Sequence, residues 1–170
     1  MTCTRCPLHK TAKNQVVGMG NVNADIMLIG EAPGAKEDAN GLPFQGMSGR
    51  ILDEVLKQAG LTRNEVYITN TVRCRPPNNR NPKIAEVRAC KPNLQDVIDR
   101  VNPKVIVTIG LVSTKRFIPV KNMKNVAEQA QGNIVPMYHP ASYLYSGRSA
   151  NVMDSMVRSI KNASLLTKRL

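Results

Sequence analysis

Four short apolar runs punctuate this chain, and a helical pattern separates each from the next. They occupy residues 24–30 (ADIMLIG), 65–70 (EVYITN), 104–110 (KVIVTIG) and 133–138 (NIVPMY). Their apolar residues are nearly continuous rather than alternating, as expected of strands covered on both faces. Pro136 removes a ladder donor from the fourth run, so that strand is expected to be short or at a sheet edge. Between the runs, residues 48–58 place Ile51, Leu52, Val55 and Leu56 on one helical face, and Gly60 stops the helix. A second helix is expected to open at Asn81–Pro82, with Asn as cap and Pro at the first helical position. It continues through Ile84, Val87, Leu94, Val97, Ile98 and Val101, with Pro92 kinking or dividing it. A short helix over 111–117 and an amphipathic one over 150–166, carrying Val152, Met156, Ile160 and Ala163, complete the pattern. This alternation predicts one α/β domain over residues 1–170. It is expected to be a three-layer α/β/α sandwich around a central, mainly parallel four-stranded sheet. In such folds ligands bind beyond the carboxyl ends of the strands, here residues 30–34, 70–75 and 138–142.

The cysteines add a second constraint. There are four, at positions 3, 6, 74 and 90: a CxxC clip at the N-terminus and two single residues far downstream. A zinc ribbon normally uses two close pairs, whereas a cluster can draw its ligands from separate loops. The chemistry favours a metal or iron–sulfur site; the bland alternative is unligated core cysteines. Around the downstream pair stand Arg73, Arg75, Arg80, Lys83, Arg88 and Lys91 against Glu86 alone. Such cations offset thiolate charge or hold a phosphate backbone, and otherwise form a solvated basic face.

The whole-chain balance points the same way. With 24 Lys and Arg against 12 Asp and Glu, the net charge is +12, which favours a polyanionic partner such as nucleic acid. No run approaches the roughly 18 apolar residues of a membrane span, and no signal-peptide pattern is visible. The expectation is therefore a cytoplasmic protein without a membrane partner, whose cysteines are ligands rather than disulfides.

At the strand ends, Gly30-Glu31-Ala32-Pro33-Gly34 makes a tight turn that lets a ligand approach the backbone. Phe44, one of two Phe, lies in the Gly/Pro loop Pro43-Phe44-Gln45-Gly46 and is a stacking platform or a loop anchor. Asn70 ends the second run, where an amide reads one edge of a base or forms a turn. His139, one of two His, follows the fourth run ahead of Pro140 and is placed to donate to a developing anion or to serve structurally.

Taken together, these segments resemble the iron–sulfur type, or family 4, of the uracil-DNA glycosylases. The resemblance runs from Cys3-Thr4-Arg5-Cys6-Pro7-Leu8 through the turn at 30–38 and Gly41-Leu42-Pro43-Phe44-Gln45-Gly46. It continues through Ile68-Thr69-Asn70-Thr71-Val72-Arg73-Cys74-Arg75-Pro76-Pro77 and closes with Cys90 and His139-Pro140-Ala141. It implies a [4Fe-4S] cluster on Cys3, Cys6, Cys74 and Cys90, structural rather than catalytic. It implies that Phe44 stacks on a flipped uracil, Asn70 bonds its O4 and N3–H edge, and His139 stabilises the uracil anion at O2. Glu31, or Glu37, would orient the water. Gly30, Ala32, Gly34, Glu37 and Ser142 would bind the substrate beside Phe44 and Asn70. Arg73, Arg75, Tyr143 and Leu144 would contact DNA, the last two as the wedge that fills the gap. The partner implied is uracil-containing DNA, single- or double-stranded, acted on by a monomer.

Ala32 stands where other glycosylase families place Asp or Asn, so a carboxylate base is missing there, as it is in the iron–sulfur family. Ala35-Lys36 stand where relatives often carry acidic residues, and Ser142-Tyr143-Leu144-Tyr145 where Leu-Leu-Arg is more usual. Two rival readings follow: a weak or inactive glycosylase-fold DNA-binding protein that keeps its iron–sulfur cluster, and a zinc-bound nucleic-acid protein.

Overall fold

Each of the four apolar runs forms a strand in the computed structural model, which describes residues 3–170. Strands β2 (Ile26–Gly30), β3 (Tyr67–Asn70), β4 (Val105–Ile109) and β5 (Ile134–Met137) are buried at every position. They pair in parallel, and a two-residue strand β1 (Met19–Gly20) adds antiparallel to β3. The sheet order is β1-β3-β2-β4-β5, so the sheet has five strands, not the four expected. A two-residue strand holding one Gly offers no apolar run from which to read it. Pro136 lies on the edge strand, and its carbonyl accepts from the Glu128 N–H at 2.9 Å and the Ser159 hydroxyl at 3.2 Å.

Successive side chains of β2 serve opposite faces of the sheet. Ile26 and Leu28 join Leu52 and Val55 of helix α2 (Met47–Gln58) and Met156 and Ile160 of helix α6 (Ala150–Thr167) in one core. Met27 and Ile29 face the other way and meet Leu94, Val97 and Val101 of helix α3 (Ile84–Val101). This is the expected three-layer arrangement. A third, small cluster of Leu8, Val72, Cys74 and Cys90 sits apart from both. Among the described residues, no helix is long and apolar enough to cross a membrane.

Helix α3 begins at Ile84 rather than at Asn81–Pro82. Glu86 sets this start: its carboxylate accepts the Lys83 N–H at 2.8 Å and is gripped by Arg80 at 2.7 and 2.9 Å. A side chain reaching back from the third helical position outweighs the Asn-Pro signal. Nor does Pro92 divide the helix. It lies on the solvent side, and Arg88, whose carbonyl loses its helical donor to the ring, is an exposed residue as well. Two further short helices flank strand ends, α1 (Ala35–Asn40), not anticipated, and α4 (Leu111–Lys115), shorter than the 111–117 expected. Helix α5 (Pro140–Tyr145) follows β5.

Candidate active site

Parallel pairing brings the carboxyl ends of β2 and β3 level, with Gly30 beside Asn70 in register. The ladder continues past both strands, because the Thr71 N–H and hydroxyl reach the Gly30 carbonyl at 2.8 Å each and the Val72 N–H reaches Glu31 at 3.2 Å. Asn70 is therefore held on a rigid element. Asn70 is 4% exposed, and its carboxamide makes no hydrogen bond to another described residue. Its polar atoms are not sealed off from solvent but open onto the pocket, so their hydrogen-bonding capacity is free for water or a ligand.

The amide borders a pocket of about 310 Å³, lined also by Ala32, Gly34, Glu37, Phe44, Asn79 and His139. That volume lies within the range of small-molecule sites, roughly 300–1,000 Å³. Gly30 is tightly enclosed: a Cβ there would lie 2.5 Å from the Asn70 side-chain oxygen and 2.7 Å from the Phe44 ring. Glycine at this position lets the amide and the ring converge. A second pocket of about 340 Å³ shares Ala32, Gly34, Asn79 and His139 with the first and extends past Glu31, Ser142 and Tyr145.

Phe44 has a left-handed backbone, φ 52°, unusual for a bulky residue. Arg63 holds it there. Its guanidinium donates to the carbonyls of Phe44 at 2.5 Å, Pro43 at 3.2 Å and Gly49 at 3.2 Å, and pairs with Asp53 of α2. The Phe44 carbonyl packs so tightly on α2 that a Cβ on Gly49 would lie 1.9 Å from it. Glu37 clamps the neighbouring segments, one carboxylate oxygen accepting the Gly34 N–H at 2.9 Å and the other the Gln45 N–H at 3.1 Å. Glu37 thus borders the pocket with both oxygens already engaged by backbone.

His139 caps α5. Its Nδ1 accepts the Ala141 N–H at 3.0 Å, and an amide can only donate, so in the neutral ring Nε2 carries the proton. Burial pushes the pKa of His139 down from 6.5 to about 4, so the ring is neutral at pH 7. Its centroid lies 6.3 Å from that of Phe44. Burial pushes the Glu31 carboxyl above its ordinary range. The site thus assembles an aromatic face, an unpaired amide and a neutral N–H donor, with a carboxyl alongside. That set suits a flat polar ring on which negative charge develops.

The remaining predicted residues divide. Tyr143 and Leu144 pack against the core, and the neighbouring Tyr145, 89% exposed, is the side chain that projects. Arg75 donates to the Asn79 side chain at 2.7 Å beside the pocket, whereas Arg73 donates to the Asn93 carbonyl at 2.9 Å and faces the cysteines. Ser142 lines the second pocket only. Sequence reasoning missed Arg63, which lies in a turn without pattern, and Asn79, which no motif singled out.

Cys3, Cys6, Cys74 and Cys90 are free thiols that line one small cavity of about 20 Å³. The Asn93 amide donates to the sulfurs of Cys3 at 3.4 Å and Cys90 at 3.6 Å. Burial, then the neighbouring Cys6, Cys90 and Cys3, push the Cys74 thiol up to about 11. Burial would raise Cys3 too, but hydrogen bonds from the Arg5 backbone and Asn93, with the charges of Arg5 and Arg73, bring it below its ordinary value. Among the described residues, no group of three or more His, Cys, Asp or Glu is arranged to hold a metal ion.

The family model of the uracil DNA glycosylase superfamily matches residues 17–161. A type-4 uracil-DNA glycosylase of Saccharolobus solfataricus is 40% identical over 175 residues, covering 95% of this chain and 81% of the relative. Similar proteins of the same description occur in Thermotoga maritima, at 39% identity over 98% of this chain and 90% of the relative, and Pyrobaculum aerophilum, at 42% over 98% and 80%.

Proposed function

The chain belongs to the uracil DNA glycosylase superfamily, and from that premise we propose that it hydrolyses the N-glycosidic bond of deoxyuridine in DNA, leaving an abasic site for repair. The observation that carries this reading is the Asn70 carboxamide, nearly buried at the pocket and bonded to no described residue.

The base must leave the stack to reach such a pocket. Phe44 stacks on its face. Asn70 donates to O4 and accepts from N3–H, a pattern that cytosine cannot match because its exocyclic amine presents a donor where O4 accepts. As the bond from C1′ to N1 breaks, both its electrons leave with uracil and the sugar becomes oxocarbenium-like. The Nε2–H of neutral His139 donates to O2, where the charge accumulates. Water, oriented by Glu31, adds to C1′, and the proton it releases neutralises the departing uracil anion by way of solvent. Gly30, Ala32 and Gly34 admit the base edge, Glu37 fixes the turn that carries them, and Ser142 lies along the strand's exit. Arg75 and Tyr145 reach the DNA, with Tyr145 rather than Tyr143 or Leu144 as the wedge.

Four thiols on one small cavity are the donor set a [4Fe-4S] cluster takes, which supports that cofactor although they are not drawn together as a metal-ion site, and the Asn93 amide would hydrogen-bond two of the sulfurs. A lone tetrahedral zinc gathers its thiolates at about 2.3 Å, while a cluster takes one thiolate per iron and tolerates wider spacing. When bound, the cluster supplies iron–thiolate bonds that join three chain segments. The protein would work as a monomer, inside the cell with its DNA.

Incubating purified protein with single- and double-stranded oligonucleotides bearing one uracil should yield alkali-labile sites without any added cofactor. No cleavage of either substrate would overturn the function. A brown protein containing iron and acid-labile sulfide is expected; a colourless one with stoichiometric zinc would overturn the cluster.

A further inference from the structure

A third opening lies on the same edge of the sheet, between the first turns of α3 and the short helix α4. It measures about 490 Å³. Its floor is apolar: Ile84, 74% exposed, with Val87 and Val112. Its walls carry Arg88, Lys91, Lys115 and Arg116, and none of the described lining residues is acidic. None of these four cations forms an ion pair among the described residues. Glu86, the nearest carboxylate in α3, is already held by Arg80. Arg116 also keeps a buried Nε without a hydrogen-bond partner. Four like charges gathered over one apolar floor repel one another until an anion enters between them.

Position identifies the anion. Asn81 lines both this groove and the pocket that runs from His139 past Ser142, so the groove adjoins the openings at the base site. We propose that the groove carries the DNA strand running away from the extruded nucleotide, its phosphates held by the four cations and its sugars and bases lying on Ile84, Val87 and Val112. This inference rests on the uracil-DNA reading above and extends it to nucleotides beyond the lesion. A cationic groove with an apolar surface is how proteins track a nucleic-acid backbone without reading its sequence. An acidic peptide would meet the same charges, but nothing would require its groove to adjoin the base site.

The test compares two substrates, a trinucleotide with a central deoxyuridine and an oligonucleotide several helical turns long. Two variants are used: the triple Arg88→Gln/Lys91→Gln/Lys115→Gln, and Lys115→Glu alone, which lies far in sequence from every cysteine. Both should fold with wild-type iron content and excise uracil from the trinucleotide at the wild-type rate. On the long substrate the triple variant should bind at least tenfold more weakly. Its log-affinity against log-salt slope should shrink by about 2–3, since each neutralised phosphate contributes roughly 0.7–0.9 to that slope. Lys115→Glu should weaken long-substrate binding in the same direction. Unchanged affinity and slope on the long substrate would overturn the groove, as would binding of an acidic peptide there with no effect on DNA. Wild-type protein that cuts neither substrate would instead overturn the function reading.

Discussion

His139 has its protonation state set by its surroundings before any base arrives. The Ala141 N–H bonded to Nδ1 leaves room for only one ring proton, at Nε2. A second proton would face an amide hydrogen, so protonation must break the turn that opens α5. Burial holds the folded pKa at about 4, below the ordinary 6.5, so the unfolded chain takes up the proton more readily. The stability given by the neutral ring is therefore complete above pH 6.5 and drains away as pH falls through 4. Urea midpoints measured across that window should fall in the wild type and lose that component in His139→Gln; parallel curves would refute the assignment. For the reaction, His139→Ala should lower kcat by about 10²–10³-fold, as expected for one lost donor to a developing anion. In the proposed reaction Asn70 acts on recognition. Asn70→Ala should lower kcat/KM on uracil by the equivalent of roughly 1–3 kcal/mol, the worth of a paired base edge, and unchanged excision would remove Asn70 from the site. That these two residues line one pocket follows from the sequence, since Asn70 ends one strand run and His139 follows another, and strand ends of a parallel sheet are where ligands bind. The expected wedge, Tyr143 and Leu144, differs from the proposed one, Tyr145, for a reason of packing. On a helix of one and a half turns, adjacent residues point in different directions, and only the packing shows that Tyr145 is the one facing out.

At the scale of the element, the loop ahead of α2 shows how a stacking ring is kept in an unfavourable pose. A non-glycine residue in the left-handed region costs on the order of 1–3 kcal/mol, and Phe44 is held there by Arg63 through three carbonyls. Lysine cannot reproduce that fork, because its ammonium lacks a planar set of donors. Arg63→Ala should therefore let the loop relax, raising KM about tenfold with little change in kcat, since stacking on Phe44 is made in ground and transition states alike. Arg63→Lys should recover only part of the loss. A fall in thermal stability with KM unchanged would mean that Arg63 merely braces α2. The sequence hides this device because the guanidinium grips backbone, which leaves no side-chain signature at positions 43, 44 or 49. The start of α3 was hidden similarly: Asn81–Pro82 looks like a cap, but the Glu86 carboxylate and Arg80 decide where the helix begins. The four buried strands and the bodies of the two long helices are legible directly, since burial on both faces and a 3.6-residue period are properties of the sequence itself.

Across the whole molecule, the cysteine site and the sheet are separate sources of order. The two large cores cover the faces of the sheet, while Leu8, Val72, Cys74 and Cys90 form a small cluster of their own. That small apolar cluster contributes little area to hold the N-terminal segment, and bringing four thiolates together in the shared cavity would need cations between them. Lys13 and Asn14 bond to Asp38, and the Val16 N–H bonds to the Arg73 carbonyl; the proposed cluster would add the tie that joins Cys3 and Cys6 to the loop that follows Asn70 and to the first half of α3. That loop carries Asn79 to the pocket, and α3 carries the basic groove, so the tie supports DNA contacts without touching the base. Removing iron by oxidation and chelation, or by Cys74→Ser, should abolish amide protection in residues 3–17 and 72–80 while β2, β3 and β4 stay protected. Hydrogen exchange read by mass spectrometry on matched holo and iron-free samples distinguishes the outcomes. Loss of protection across the sheet would mean that the cluster nucleates the whole fold, and full retention in both segments would mean that the thiols pack as ordinary core residues.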